Sequence, residues 1–442
     1  MTFTDLLIFI LLVQIIHFLG TWKLYIKAGR KAWEAAIPIY NAIVLMKIIN
    51  RSPWWTLLLF IPIVNLIMFP VIWVETLRSF GRNSNTDTFL GVCTFGLYIY
   101  YINYTQDVTY ISDRSLKPRT AAGEWISSIL FAVVAATIVH TYVMQPFTIP
   151  TSSLEKTLLV GDFLFVSKFH YGARMPMTAI SFPMVHDSIP VIGTKSYLDQ
   201  PQLPYFRLPG FQKIKRNDIV VFSWPTDTLI DINRPAKGFK VKPLDKKSNY
   251  VKRCVGIPGD ELQIKDGYVY INGVQNVLPE RAKLQFRYKI VSKNSFVKTD
   301  NKGRYTSQPS AFVSSHFDIS DIYISEIDRE NKIITHIAQM TDEAYEKVKN
   351  NPNVIEVQKI TVEEGVWNQS VYPQDPRFNW NTKYFGPITI PEAGTTIAIS
   401  IENIPLYKRI IEVYEGSEVG INNKVVVSGT QVMLNGEQLT QY

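Results

Sequence analysis

Cysteine is nearly absent from this chain, which has only Cys93 and Cys254 in 442 residues. The first falls inside an apolar run and the second inside a predicted strand. A disulfide between them is not expected, and any exported part must hold together without one. Histidine is scarce too, at six: His17, His140, His170, His186, His316 and His336. None stands in a Gly-x-Ser-x-Gly elbow or beside a recognisable triad partner, and no His-Glu-x-x-His occurs. Histidine-based acyl transfer and zinc chemistry therefore lack support, and no cofactor or metal is expected. Charge is also low, with 19% charged against 46% hydrophobic residues. A soluble domain carries about 25% charged residues, so part of this chain belongs in lipid. The net charge of +8 comes with no nucleic-acid motif and collects partly beside apolar runs. A basic, membrane-facing surface is favoured and no nucleic-acid partner is expected.

Apolar runs are what the chain has in place of these. A spanning helix needs roughly 20 apolar residues, and Leu6 to Leu24, Trp54 to Val74 and Trp125 to Met144 come close, with the shorter Thr88 to Ile102 as a fourth. Ala35 to Ile49 contains Pro38, Asn41 and Lys47 and reads as interfacial or re-entrant. The Met1 segment lacks a basic start and a small-residue cleavage site, so it reads as a permanent anchor. Lysine and arginine mark cytoplasmic loops. Lys23, Lys27, Arg30, Lys31, Lys47 and Arg51 place the first loop inside. Counting four spans, Arg78 and Arg82 lie outside, Arg114, Lys117 and Arg119 inside, and everything after Met144 outside. The expected topology is multi-pass, with the larger part on the exported side.

Beyond residue 144 short alternating runs are punctuated by Gly, Pro, Asn and Asp, the texture of strands. Thr157 to Lys168 is expected to form a strand pair turning at Gly161-Asp162, and Asp218 to Ser223 a further strand. Leu262 to Ile271 reads as a hairpin, because Asp266-Gly267 accepts the positive φ of a tight turn. Lys424 to Ser428 and Val432 to Asn435 form another. Thr341 to Lys349 is a helix opened by a Thr/Asp cap and closed before Pro352. The expected domains are a membrane region over 1–144, a β core over 145–272 with a loop excursion at 173–216, an α+β subdomain over 273–422, and a return to the core over 423–442.

Two segments carry the chemistry. Gln145-Pro-Phe-Thr-Ile-Pro-Thr-Ser-Ser153-Leu-Glu-Lys-Thr-Leu-Leu-Val-Gly-Asp162 offers a hydroxyl directly after an apolar helix. Tyr250-Val-Lys252-Arg-Cys-Val-Gly-Ile-Pro-Gly-Asp260 offers an amine on a strand whose alternation puts Tyr250, Lys252 and Cys254 on one face and Val251, Arg253 and Val255 on the other. A serine needs a base, and a lysine serves only when neutral. Its pKa must fall from about 10.4 to about 7 or 8, on the order of 4 kcal/mol, which desolvation can supply.

Both segments resemble bacterial signal peptidase I, the membrane-anchored serine protease of S26 type. Ile149, Pro150, Thr151, Ser152, Ser153, Leu154, Thr157, Leu158, Gly161 and Asp162 stand at positions of its first box, and Tyr250 through Asp260 match its second. Asn217-Asp-Ile-Val-Val-Phe222 adds to the likeness. The resemblance implies transmembrane helices followed by a mostly-β exported catalytic domain of signal peptidase/LexA-like fold with an inserted α+β subdomain. It also implies an endopeptidase that removes signal peptides from exported preproteins through a Ser153–Lys252 dyad and an acyl-enzyme. The oxyanion hole would be the Ser153 N–H and the Thr151 hydroxyl, and Phe147, Ile149 and Tyr250 would line the substrate pockets. The implied partners are signal peptides, the lipid bilayer and the translocation machinery.

Some positions depart from that pattern. Thr151 replaces the usual serine, Ser152 the usual glycine, and Lys156 the usual proline. Ser153-Leu-Glu-Lys156 also spells the Ser-x-x-Lys of penicillin-recognising enzymes. The flanking Ile149-Pro150 and the apolar run after it favour an extended loop instead, and no Ser-Asp-Asn or Lys-Thr-Gly follows. The family's last box, Gly-Asp-Asn-Arg-x-Asn-Ser, is absent before Tyr442. The expectation is a sequence cut short, the alternative a truncated or inactive relative acting as a membrane-anchored binding protein.

Overall fold

Phe3–Lys27 holds no proline and forms one unbroken helix, α1. The computed structural model describes residues 3–118, 120–225, 242–416 and 421–442, so Arg119 of the basic loop lies outside the described residues. After α1 the helices are short: α2 (Tyr40–Ile48), α3 (Trp55–Leu58), α4 (Val64–Ser79), α5 (Asn85–Cys93) and α6 (Tyr98–Thr105). α7 (Ala121–Ile138) opens at Thr120, whose side chain accepts the Gly123 N–H, and runs on through a π turn to Val143. Among the described residues, Phe3–Lys27 and Ala121–Val143 are the helices long and apolar enough to cross a membrane.

The spans expected at 54–74 and 88–102 are interrupted. Pro62 cannot donate a helical hydrogen bond and drives its predecessor out of the helical region. Ile63 follows at φ 71°, so α3 and α4 are separate. In the second segment Phe95 and Gly96 take φ 53° and 82° and divide α5 from α6. The core of this region is Leu24, Tyr25, Val44, Met46, Ile49, Leu77, Phe80, Ile99 and Ile102.

The chain divides into two compact units. The first comprises 1–146, 165–213 and 223–249, and the second 147–164, 214–222 and 250–442. The chain passes from one to the other within the strands of two ribbons, β1 (Met144–Thr148) with β2 (Phe163–Ser167), and β3 (Ile219–Ser223) with β4 (Asn249–Arg253), and once more between Lys213 and Ile214, outside any strand. The strand expected from Thr157 begins only at Phe163. Thr157 and Leu158 instead donate to the Leu154 carbonyl at 2.8 and 3.0 Å and close a turn. The excursion at 173–216 has only isolated bridges, such as Arg174 to Arg207 and Ser181 to Tyr197.

In the second unit β5 (Glu261–Lys265) and β6 (Tyr268–Ile271) form the expected hairpin, with Asp266 and Gly267 at φ 47° and 82°, and β7 (Val274–Gln275) adds to its edge. The chain then builds β8 (Phe286–Ser292), β9 (Val297–Thr299), β10 (Tyr305–Pro309), α8 (Ala311–Phe317), β11 (Ile322–Asp328), β12 (Ile333–Met340), α9 (Asp342–Lys349) and β13 (Val354–Lys359). Four of these strands make an antiparallel sheet in the order β11-β12-β8-β13. Its buried residues, Tyr288, Ile290 and Met340, pack with Val313, Phe317, Ala344 and Val348 of the two helices. β14 (Phe385–Thr389) returns to pair with β5. α10 (Ile404–Arg409) and the strands β15 (Val425–Ser428), β16 (Gln431–Leu434) and β17 (Glu437–Gln438) then share a smaller core of Ile404, Tyr407, Ile411, Val425 and Val432.

Candidate active site

The segment from Phe147 to Asp162 is fixed at both ends by its own backbone. Ile149, 3% exposed, donates its N–H to the Asp162 carbonyl at 2.9 Å and accepts from Gly161 N–H at 2.8 Å. Between these closures Ser152–Leu154 makes one 3₁₀ turn, entered from Thr151 in extended conformation, with Leu154 turned into the core. Burying Leu154 leaves its neighbour Ser153 facing out.

β4 supplies the second group. Cys254 N–H donates to the Asp218 carbonyl at 2.8 Å, and Asn217 N–H to the Cys254 carbonyl at 2.6 Å, which fixes the strand beside β3. The alternation expected from the sequence is present in the contacts. Lys252 Nζ donates to Ser153 Oγ at 2.5 Å. Arg253 points elsewhere, with one terminal nitrogen 2.8 Å from the Asn217 carbonyl and the other 3.0 Å from Thr157 Oγ1. Arg253 therefore ties the turn that carries the serine to the strand that carries the lysine. The alternation places Arg253 on the face opposite Lys252, and nothing in the local pattern shows that its partner is four residues past Ser153.

Lys252 is half-buried, and desolvation holds its amine below the ordinary lysine value. The Tyr250 ring centroid lies 5.9 Å from Nζ. Among the described residues no carboxylate pairs with this ammonium, so no opposite charge offsets the cost of keeping it charged. Lys156 is the contrasting case: its Nζ donates to both the carbonyl and Oδ1 of Asp318 at 2.5 Å. Its neighbour Glu155 accepts from the Ser320 hydroxyl. The lysine nearer Ser153 in sequence is thus directed to Asp318, and the one 99 residues away meets the hydroxyl.

The other expected site residues lie on this same segment and strand. Thr151 is exposed, Phe147 and Tyr250 are intermediate, and Ile149 is buried. Ile149 is therefore core here, with its backbone holding the loop closed. Asp260, at the end of the second motif, is 3% exposed and bound by both Nε (2.8 Å) and a terminal nitrogen of Arg216, and it accepts the Ile257 N–H at 2.9 Å. The Arg216 hydrogen bonds pull its carboxyl down to about 2. This pair locks the turn after β4, and sequence reasoning missed it because Arg216 sits in an irregular stretch.

Residues 122–316 match the signal peptidase, peptidase S26, family, and residues 33–113 match a family of unknown function (DUF5684). The chain is similar to signal peptidase I of Rickettsia canadensis (strain McKiel), 31% identical over 154 residues, which are 35% of this chain and 44% of that protein. It is similar to signal peptidase I of Rickettsia massiliae (strain Mtu5) at 32% over the same length and shares. Signal peptidase I of Buchnera aphidicola subsp. Acyrthosiphon pisum (strain APS) matches at 27% over 237 residues, 52% of this chain and 60% of that protein. The chain thus spans about half the length of the curated relatives it matches. The stretch that matches the signal peptidase, peptidase S26, family, residues 122–316, holds both Ser153 and Lys252.

Proposed function

We propose that this protein is a signal peptidase I, a membrane-anchored serine endopeptidase that removes signal peptides from exported preproteins. The observation that carries the reading is the 2.5 Å contact between Ser153 Oγ and Lys252 Nζ. Neutral Lys252 takes the serine proton as the oxygen attacks the peptide carbonyl. The resulting ammonium protonates the leaving amine, and a water deprotonated by the same lysine clears the acyl-enzyme. The Ser153 N–H and the Thr151 hydroxyl would hold the oxyanion, where such a donor contributes about 2.7–4 kcal/mol. Phe147 and Tyr250 would flank the small residues of the signal peptide. The β8–β13 sheet with α8 and α9 is the inserted subdomain of this scheme, and the β5–β6 hairpin with β3 and β4 its catalytic core.

Localisation follows from the anchors. The π turn that continues α7 ends at Val143 and Ser153 follows ten residues later in the chain, so the site would be tethered to the exported face, where a substrate still held by its own apolar segment reaches it by diffusion in the membrane plane. The experiment is preprotein cleavage by the detergent-purified protein. Cleavage that survives Lys156→Ala and is lost in Lys252→Ala supports the dyad. Covalent labelling by a β-lactam that disappears in Lys156→Ala would instead assign the Ser-x-x-Lys chemistry.

A further inference from the structure

The first unit carries a second conclusion, independent of the peptidase reading. Glu75, 4% exposed in α4, accepts from Arg51 Nε at 3.1 Å and from an Arg114 terminal nitrogen at 2.5 Å, and lies 3.5 Å from Arg78. Arg114 also reaches the Ile49 carbonyl at 3.0 Å and Ser79 Oγ at 2.9 Å. Ile111 N–H donates to the Ser79 carbonyl, Tyr110 Oη to the Ile48 carbonyl, and Asn50 Nδ2 to the Ser112 carbonyl. Near this hub, Lys27 at the end of α1 pairs with Asp107 at 3.4 Å, and Arg82 with the Gln106 side chain.

Groups in hydrogen-bond contact share one side of a bilayer whose hydrocarbon core is about 30 Å thick. Positions 48–51, 75–82 and 106–114 are therefore together. Each segment between them, 52–74 and 83–105, must leave and return to the same face, which four crossings do not allow.

How deep these segments go can be read along α1. Gln14 Nε2 donates to the Ala35 carbonyl at 3.0 Å, and Asn41 Nδ2 to Gln14 Oε1 at 3.0 Å. Gln14 precedes Lys27 by 13 residues, about 20 Å of helix. Tyr100 Oη donates to the Ile16 carbonyl, and Tyr104 Oη to the Leu19 carbonyl. Beyond that level Phe3, Leu7, Leu11 and Leu12 of α1 are each at least 55% exposed. The short helices wrap only the half of α1 that ends at Lys27.

The turns are built alike. Ile37-Pro-Ile-Tyr-Asn41 and Ile61-Pro-Ile-Val-Asn65 repeat one pattern 24 residues apart. In both, the second isoleucine takes nearly the same positive-φ conformation, φ 67° and ψ −51° at Ile39, φ 71° and ψ −47° at Ile63. A β-branched residue held there twice marks a built helix break. Exposed apolar side chains cover the layer, among them Trp54, Phe60, Phe89 and Phe95.

We propose that residues 28–118 form a re-entrant layer seated among the acyl chains of the cytoplasmic leaflet, and that this part of the chain crosses the bilayer only at α1 and α7. Every lysine and arginine from Lys23 to Lys117 then lies on the cytoplasmic side, as the positive-inside rule requires, whereas four crossings put Arg78 and Arg82 outside. Two crossings deliver residue 145 to the same face as four.

The test is labelling by a membrane-impermeant maleimide in sealed vesicles of both orientations, with Cys93 and Cys254 replaced by serine and reactivity in detergent as the measure of a competent thiol. Asn85→Cys and Lys117→Cys are expected to label only from the cytoplasmic face, and Thr194→Cys only from the exported face. Labelling of Asn85→Cys from the exported face, on the same side as Thr194→Cys, overturns the proposal. Preprotein cleavage by the same variants reports separately on the peptidase reading.

Discussion

Two desolvated charged sites, Glu75 in the helical layer and Lys252 on β4, have opposite surroundings. Glu75 is met by Arg51, Arg78 and Arg114. Lys252 meets a hydroxyl, with no carboxylate partner among the described residues. Removing a charge from water costs several kcal/mol unless partners offset it. Where they do, as around Glu75, the ion pairs hold three segments together. Where they do not, as at Lys252, burial lowers the pKa of the amine, and the neutral form of an amine is a base. The same physical cost gives a structural hub in one unit and, on our reading, a reactive group in the other.

This comparison can be broken at several points. Replacing Lys252 with alanine is expected to lower preprotein cleavage at least about a thousandfold with unchanged thermal stability, since a nucleophile and its base act as one unit. Retained cleavage would remove Lys252 from the chemistry. Glu75→Ala leaves guanidiniums without their carboxylate and is expected to cost about 3–5 kcal/mol, read as a lowered melting temperature in detergent. Arg78→Ala, at the outer and longer contact, is expected to cost no more than about 1 kcal/mol.

Arg253→Ala cuts the tie to Thr157 and is expected to lower kcat about 10- to 100-fold, equivalent to about 1.4–2.8 kcal/mol, with little change in KM. A loss confined to KM would point to a role in binding instead.

The pH dependence sharpens the same contrast. Cleavage needs the neutral amine, so the rate should rise with pH through the Lys252 pKa, and that limb should lie below the ordinary lysine range because burial lowers it. Between the folded and unfolded values the unfolded state binds the extra proton, so stability also rises with pH across that window. Asp260 works in the opposite direction. Its carboxyl is held at about 2, so its contribution is present above the ordinary aspartate value and is lost as pH falls toward 2. The smallest effect is expected at Lys156→Ala, whose pair with a largely exposed Asp318 is worth about 0–1 kcal/mol, so cleavage should stay within about threefold.

Much of the site was legible because its cues are local. A strand's two-residue period puts Lys252 and Arg253 on opposite faces, and the structure sends one to Ser153 and the other to Asn217 and Thr157. The Asp266-Gly267 turn and the Thr341 cap were readable for the same reason, since each depends on residues a few positions apart. The strand expected at Thr157 failed because apolar alternation does not reveal a competing turn around the Leu154 carbonyl. The helix breaks within 54–74 and 88–102 were not legible because hydropathy measures length and greasiness, not whether a Pro62 or Gly96 lets the helix continue.

The sequence by itself determined which residues can do chemistry, where the chain is apolar enough for lipid, and which faces its strands present. Those properties belong to single residues and to their nearest neighbours along the chain. Only the tertiary structure decided which of two lysines reaches Ser153 and which goes to Asp318, and that Arg51, Glu75 and Arg114 meet across more than sixty residues. These are outcomes of packing between distant segments, where the cost of an unmatched buried charge selects the partner, and no local pattern records that competition.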